Sequence, residues 1–128
     1  MIKAVLAISV GASIGAIFRY VLGIFYNFVF PSIPLGTLYA NLIGGFLMGI
    51  FMAVSKDHIL SETARLAITT GFLGGLTTFS TFSAEATTLL SHGEYALFSL
   101  ITFSHVGGSL LATILGIYFI KLLTWVLL

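Results

Sequence analysis

Cysteine and charge are scarce in this 128-residue chain. It contains no cysteine, so disulfide bonds and thiolate metal sites are excluded. Only 7% of its residues are charged and 59% are hydrophobic, whereas a soluble domain carries about 25% charged residues. The composition therefore predicts an integral membrane protein. A net charge of +1 gives no reason to expect a nucleic-acid partner.

The apolar runs leave room for four membrane-spanning helices, because each helix needs roughly 20 apolar residues. We expect one all-α transmembrane domain over residues 1–128. The expected spans are residues 4–30, 36–54, 64–91 and 95–123. The first run exceeds signal-peptide length and has no clear A-x-A-like cleavage site, so we expect it to be retained. Pro31 and Pro34 mark the loop that follows it.

Small residues at a spacing of four predict close packing between the membrane helices. Such positions occur in the first, second and fourth spans: Gly11 and Gly15; Gly45 and Gly49; and Gly108, Ala112 and Gly116.

Residues 71–83, which read GFLGGLTTFSTFS, are unusual for the middle of a spanning helix. Three glycines are followed by five hydroxyl residues around two phenylalanines. Irregular backbone at membrane depth is tolerated only where it is buried in protein or lines a water-filled cavity. We therefore predict a break in the third helix, and breaks of this kind commonly hold ions.

Phe79 and Phe82 are three residues apart, so their rings should project from a similar face of the helix. Phenylalanine pairs at this spacing are usually packing residues. An aromatic ring also has a positive edge, which could contact a small anion weakly enough for the anion to leave again.

Isolated polar residues elsewhere in the spans leave more than one reading open. Arg19 marks function, or it reaches the membrane surface or a loop carbonyl. Asn41 must find a partner in another helix or in a ligand. Glu85 is a proton-titrating, pathway, vestibule or structural residue. Ser109 and Thr113 hold helices together or form a polar path.

Histidines and the loop residues offer less chemistry. His58 is expected to be a solvated loop residue, and His105 a hydrogen-bonded interior residue rather than a ligand. The sequence assigns no role to His92. Ser61 with Glu62 predicts the start of a helix, and Gly93 predicts a tight turn.

Four of the five basic residues, Lys3, Lys56, Arg65 and Lys121, fall on the side of the N-terminus. This bias predicts that both termini are cytoplasmic.

The run GGLTTFSTF at residues 74–82 resembles the hallmark of the Fluc-type fluoride channels, also called CrcB proteins. Residues 11–20 (GASIGAIFRY) and 36–46 (GTLYANLIGGF) resemble the motifs of that family's first and second spans. The length and the plan of four spans also match.

The resemblance implies an antiparallel, dual-topology homodimer with two fluoride pathways at the subunit interface. It implies a structural sodium ion at the dimer centre, held by the backbone carbonyls of Gly74 and Thr77. Phe79 and Phe82 would meet fluoride edge-on. The other residues to which it assigns a role are Asn41, Ser80, Thr81, Ser109 and Thr113 on the ion pathway, and Arg19 and Glu85 as vestibule or structural residues.

Physical reasoning also favours a dimer. Four spans can hardly enclose a polar path, and polar groups that face lipid are costly. We expect a passive fluoride-selective channel, not an enzyme, that exports fluoride across a bacterial-type plasma (inner) membrane and so protects against its toxicity. The alternatives are a proton-coupled exporter of small cationic compounds, which would need an embedded carboxylate such as Glu85, and a structural subunit without transport.

Overall fold

The computed structural model describes residues 1–30, 32–55 and 60–127. The helices are α1 (Ile2–Tyr26), α2 (Leu35–Val54), α3 (Glu62–Leu66), a π-helix that we call π1 (Ala67–Leu73), α4 (Gly74–Leu76), α5 (Phe79–Ser91) and α6 (Tyr95–Leu127). These residues contain no strand, which confirms the all-α class. The expectations for Pro31, Lys56 and His58 lie outside the described residues.

Three helices, α1, α2 and α6, are long and apolar enough to cross a membrane. The remaining predicted span, residues 64–91, is divided among α3, π1, α4 and α5. The chain is therefore a multi-pass membrane protein. Helix α1 ends at Tyr26 rather than at residue 30. The next residue, Asn27, accepts a hydrogen bond on its side chain from the Thr37 backbone N–H at 3.3 Å. Helix α6 continues past residue 123 to Leu127, because its apolar run contains no stop signal.

Helix α2 packs mainly on α6 and also contacts α1. The two halves of the broken span have different neighbours among the described residues. The first half, π1 and α4, lies against α1, whereas α5 contacts α6. The break therefore lies where the chain passes from the α1 side of the protein to the α6 side.

Glycine allows the helix backbones to approach closely, as the sequence predicts. A Cβ atom added at Gly49 would overlap the carbonyl oxygen of Thr113, and one at Gly116 would overlap that of Phe46. Cβ atoms at Gly11 and Gly15 would likewise overlap carbonyl oxygens of π1. These contacts join α2 to α6 and α1 to the first half of the broken span.

The ends of the broken span also follow the predictions. Ser61 Oγ accepts a hydrogen bond from the Ala64 N–H at 3.3 Å, and Glu62 occupies the first turn of α3. Gly93 has a φ of 76° in the turn that leads to α6, a backbone conformation that favours glycine.

Candidate functional site

The predicted break occurs between α4 and α5. Thr77 (φ −78°, ψ 154°) and Thr78 (φ −150°, ψ 116°) both have extended backbone conformations. Helix α4 is consequently only three residues long, and α5 begins directly after the break at Phe79.

Asn41 of α2 binds the backbone at the break in two places. Its Oδ1 accepts a hydrogen bond from the Thr78 N–H at 2.7 Å, and its Nδ2 donates to the Thr78 carbonyl at 3.0 Å. The same Nδ2 lies 2.9 Å from Nδ1 of His105. The Asn41 amide therefore supplies the extended Thr78 with hydrogen bonds that a continuous helix would have supplied.

Several carbonyl groups lose their α-helical partners at the break, and for Gly74 and Thr77 the N–H group that bonds elsewhere can be identified. The Thr78 N–H would bind the Gly74 carbonyl in a continuous helix, but it donates to Asn41 instead. The Thr81 N–H would bind the Thr77 carbonyl, but it donates to Thr78 Oγ1 at 3.2 Å. These are the two carbonyls to which the family resemblance assigns sodium.

The donor chemistry at the break fits a hard cation. Backbone carbonyl oxygens are ligands of the kind that hard cations prefer, and Gly74 lies at the break with open space beside it. A Cβ atom there would meet only Thr69 O, at 3.6 Å. Within the described parts of the chain, His, Asp and Glu residues form no group of three that could hold a metal.

Hydroxyl groups surround the start of α5. Thr78 Oγ1 caps this helix, donates to Thr81 Oγ1 at 2.9 Å and lies 3.3 Å from Ser80 Oγ. Because Thr78 gives its proton to Thr81, Ser80 must donate to Thr78. The predicted hydroxyl donors Ser80 and Thr81 therefore form one hydrogen-bonded cluster with Thr78.

A groove of about 500 Å³ lies beside the break, and we call it the break groove. It brings together most of the residues that the sequence singles out. Its lining includes Asn41, Gly74, Thr77, Phe79, Phe82, Ser109 and Thr113. None of the described residues that line it is Asp, Glu, Lys or Arg. The groove is thus polar at its hydroxyl and amide groups but carries no fixed charge.

The two phenylalanines occupy different depths in the break groove. Phe79 is 75% exposed, whereas Phe82 is only 7% exposed. Their ring centroids are 5.5 Å apart with an interplanar angle of 67°, and Phe82 also stacks on His105 at 4.7 Å. The buried ring is therefore held between two aromatic neighbours, and the exposed ring stands at the open side of the groove.

Ser109 and Thr113 line the break groove from α6, but their backbones also take part in helix packing. Thr113 Oγ1 donates to the Ser109 carbonyl at 2.9 Å. A Cβ atom at Gly45 would lie 2.9 Å from that same carbonyl. The pair therefore takes part in helix packing through its backbone and also lines the break groove.

Arg19 and Glu85 lie outside the break groove. Arg19 Nε donates to the Gly75 carbonyl at 3.1 Å, and Arg19 lines a second groove of about 410 Å³ with Thr81. Glu85 Oε1 accepts from Thr37 Oγ1 at 2.7 Å, and Glu85 lines a third groove with Glu94. The structure therefore distributes the predicted polar residues over three grooves.

Sequence reasoning missed three parts of this arrangement. It did not predict π1, the contact between Thr37 and Glu85, or the contact of His105 with both Asn41 and Phe82. For the His105 contacts, the sequence predicted only that His105 is an interior, hydrogen-bonded residue. Its 3% exposure and its hydrogen bond with Asn41 confirm that prediction.

A family model described as CrcB-like protein, Camphor Resistance (CrcB), matches residues 6–117. The chain belongs to the CrcB family. The match covers all the described membrane-spanning elements in whole or in large part, so family membership applies to the whole fold and not to one motif.

Several curated CrcB-family relatives are named Fluoride-specific ion channel FluC. The one from Nitrosospira multiformis is 54% identical over 121 residues, which are 92% of this chain and 93% of the relative. The relative from Tolumonas auensis is 52% identical over 126 residues, 96% and 98% of the two chains. That from Thiobacillus denitrificans is 50% identical over 121 residues, 94% and 98%. These relatives are named as channels, which agrees with the prediction that the chain is not an enzyme.

Proposed function

We propose that this CrcB-family protein is a passive fluoride-selective ion channel. The observation that carries the proposal is the break groove, which combines two phenylalanine rings with amide and hydroxyl groups beside an interrupted helix. Support comes from relatives that are 50–54% identical over nearly their whole length and are named fluoride-specific ion channels.

The break groove has the chemistry that a small anion needs to pass. Hydroxyl and amide groups that bond within the protein would turn toward the anion to replace part of its water shell, and the positive ring edges of Phe79 and Phe82 attract the anion weakly. No lysine or arginine is among the described residues that line the groove. Binding can therefore favour entry and still permit release, as conduction requires.

A structural sodium ion at the break is part of this proposal. Gly74 and Thr77 would hold it through the two carbonyls whose α-helical N–H partners bind elsewhere. When bound, the cation would supply positive charge that offsets the cost of burying an anion nearby. Two other carbonyls at the break already accept hydrogen bonds, Thr78 O from Asn41 and Gly75 O from Arg19.

We further propose that the working unit is an antiparallel homodimer with two pathways. The break groove is open on one side, and Phe79 is 75% exposed there. Amide and hydroxyl groups that face lipid are costly, so a second copy of the chain is the natural cover. Isologous two-fold pairing is the commonest form of such assembly, and it would bring two breaks together.

The direction of transport follows from the membrane potential. Fluoride enters cells as neutral hydrofluoric acid and dissociates inside, and a negative interior drives the anion out through a passive pore. In the inner membrane of a bacterium the channel would thus export fluoride and limit its toxicity. A proton-coupled exporter would need its carboxylate in the conducting cavity, whereas Glu85 is bonded to Thr37 in a separate groove.

Cells that lack their own fluoride exporter provide the test of export. Expression of the chain should lower internal fluoride and restore growth on medium containing fluoride. The variant Phe82→Ile should restore growth less well at equal membrane abundance. Equal internal fluoride with and without the expressed chain would contradict the proposal.

A further inference from the structure

His105 lies where two pathway candidates meet. It is 3% exposed on α6, and its side chain contacts Asn41 of α2 and Phe82 of α5. Its ring stacks on Phe82 with an interplanar angle of 23°. One side chain therefore touches both the amide that binds the broken backbone and the buried aromatic ring.

The hydrogen bonds around Asn41 determine which ring nitrogen of His105 carries the proton. The Thr78 N–H can only donate, so the group that faces it at 2.7 Å must be the amide oxygen of Asn41. The other side of the amide is then the NH₂ group, which donates to Thr78 O and faces His105 Nδ1 at 2.9 Å. Nδ1 must accept this bond, so a neutral ring carries its proton on Nε2.

The surroundings of His105 contain no charge that would favour a second proton. Asn41 faces it from α2 and Phe82 from α5, and no Asp, Glu, Lys or Arg lines the break groove among the described residues. Its Nε2 is buried without a hydrogen-bond partner in the described part of the chain. The ring is thus bound through Nδ1 alone.

We propose that His105, as the neutral tautomer protonated on Nε2, is a positioning residue that, together with Thr78, holds the Asn41 amide in this orientation. With Nδ1 as the acceptor, the NH₂ group of Asn41 is held toward His105 and the oxygen toward the Thr78 N–H. The predicted effect on ion flux rests on the proposed fluoride channel. The predicted tautomer of His105 does not depend on that function.

Two variants separate the two contacts that His105 makes. His105→Asn can place its Oδ1 where Nδ1 was and so keeps an acceptor for Asn41, although it loses the ring. His105→Phe keeps a ring against Phe82 but has no acceptor. We expect fluoride efflux from liposomes to fall about tenfold in His105→Phe, the order of effect seen when a residue that orients a ligand is removed. His105→Asn should stay within about threefold of the parent chain, because it rescues the acceptor. Undiminished efflux in His105→Phe, or equal loss in both variants, would overturn the positioning role.

Nitrogen NMR of ring-labelled protein in bilayers tests the tautomer without any measurement of transport. The signals of His105 are those that disappear in His105→Asn. We expect an unprotonated Nδ1 and a protonated Nε2. In Asn41→Leu, which removes the donor, both tautomers should become populated, whereas the control Thr102→Ala should leave the spectrum unchanged because its hydroxyl bonds within α6.

The outcomes distinguish this proposal from the proposed function. A protonated Nδ1 in the parent chain would overturn the proposal even if fluoride passes. The expected tautomer in a chain that passes no fluoride would contradict the channel and leave the orientation of Asn41 supported. Size-exclusion profiles matched to the parent show that each variant is folded before its flux is compared.

Discussion

At the scale of single residues, Asn41 accounts for how the protein tolerates extended backbone inside the membrane. Its amide satisfies both the N–H and the carbonyl of Thr78. A buried polar group without a partner costs about 1–3 kcal/mol, so the amide offsets a penalty that would otherwise oppose the break. From the sequence, Asn41 had two possible partners, another helix or a ligand. In the structure its partners are protein groups, the Thr78 backbone and the His105 ring. A role of Asn41 on the ion pathway stays a prediction.

Phe79→Ile and Phe82→Ile test the proposed contact between fluoride and the ring edges. Isoleucine keeps an apolar side chain but has no positive edge, so fluoride efflux should fall about tenfold while the assembly is retained. Phe103→Ile is the matched control, because Phe103 is 79% exposed, close to the 75% of Phe79, and does not line the break groove. Unchanged efflux in both groove variants would remove the aromatic assignment.

Glu85→Gln distinguishes a channel from a proton-coupled exporter. Glutamine can still accept the hydrogen bond from Thr37 Oγ1, which is 2.7 Å long in the parent chain, but it cannot exchange a proton. We expect the variant to keep passing fluoride at a rate that does not respond to an imposed proton gradient. Loss of a gradient-driven component in this variant, measured against the parent in the same liposomes, would instead indicate coupled transport.

At the scale of elements, the break was predictable because glycines and hydroxyl residues coincide in residues 71–83. The π-helix before it was not. A π-helix keeps helical character in its sequence, and its different hydrogen-bond register is settled by tertiary packing. Here Gly11 and Gly71 allow α1 and π1 to approach so closely that a Cβ atom at Gly71 would lie 2.8 Å from the carbonyl of Ile8. That contact depends on which helix is the neighbour, which a single sequence does not specify.

Gly49→Ala tests the packing of α2 on α6. The added methyl group would overlap the carbonyl oxygen of Thr113, so the helices must separate, and overpacking of this kind costs roughly 1–3 kcal/mol. We expect a lower melting temperature in detergent. Gly107→Ala is the control, because nothing lies within 4 Å of a Cβ atom there. Equal melting temperatures for the two variants would show that this contact does not limit stability.

Sodium removal tests the cation site at the break. Because a cation that binds only the folded state stabilises it by mass action, replacing sodium with a large organic cation should lower the melting temperature of the parent chain. Gly74→Ala should fold, since its methyl group would meet only Thr69 O at 3.6 Å, and because alanine keeps the backbone carbonyl its melting temperature should still respond to sodium. Melting temperatures that do not depend on sodium in the parent chain would argue against the site.

At the scale of the whole molecule, the sequence was sufficient for the all-helical membrane fold and for the residues that gather at the break. The structure places Arg19 and Glu85 in grooves separate from the break groove, a separation that depends on how α1, α2 and α5 cross and that the sequence alone does not specify. The open side of the groove is the feature that a single chain leaves incomplete, and it underlies the proposed dimer.

Dual topology can be measured directly, because the chain has no cysteine of its own. In Ser91→Cys, the single thiol lies at the exposed C-terminal end of α5, next to the turn that leads to α6. An antiparallel dimer requires both insertion orientations, so a membrane-impermeant maleimide should label about half of the thiols in intact cells and the remainder after permeabilisation. Complete labelling, or none, before permeabilisation would indicate a single orientation and contradict the antiparallel arrangement.

The central claim is that this chain conducts fluoride and discriminates against chloride. The most direct measurement is ion efflux from liposomes that contain the purified protein, with valinomycin and potassium present to balance charge. We expect rapid loss of fluoride with chloride retained, and retention of both ions in protein-free liposomes. Retained fluoride in liposomes that demonstrably contain folded protein, or equal loss of fluoride and chloride, would contradict it.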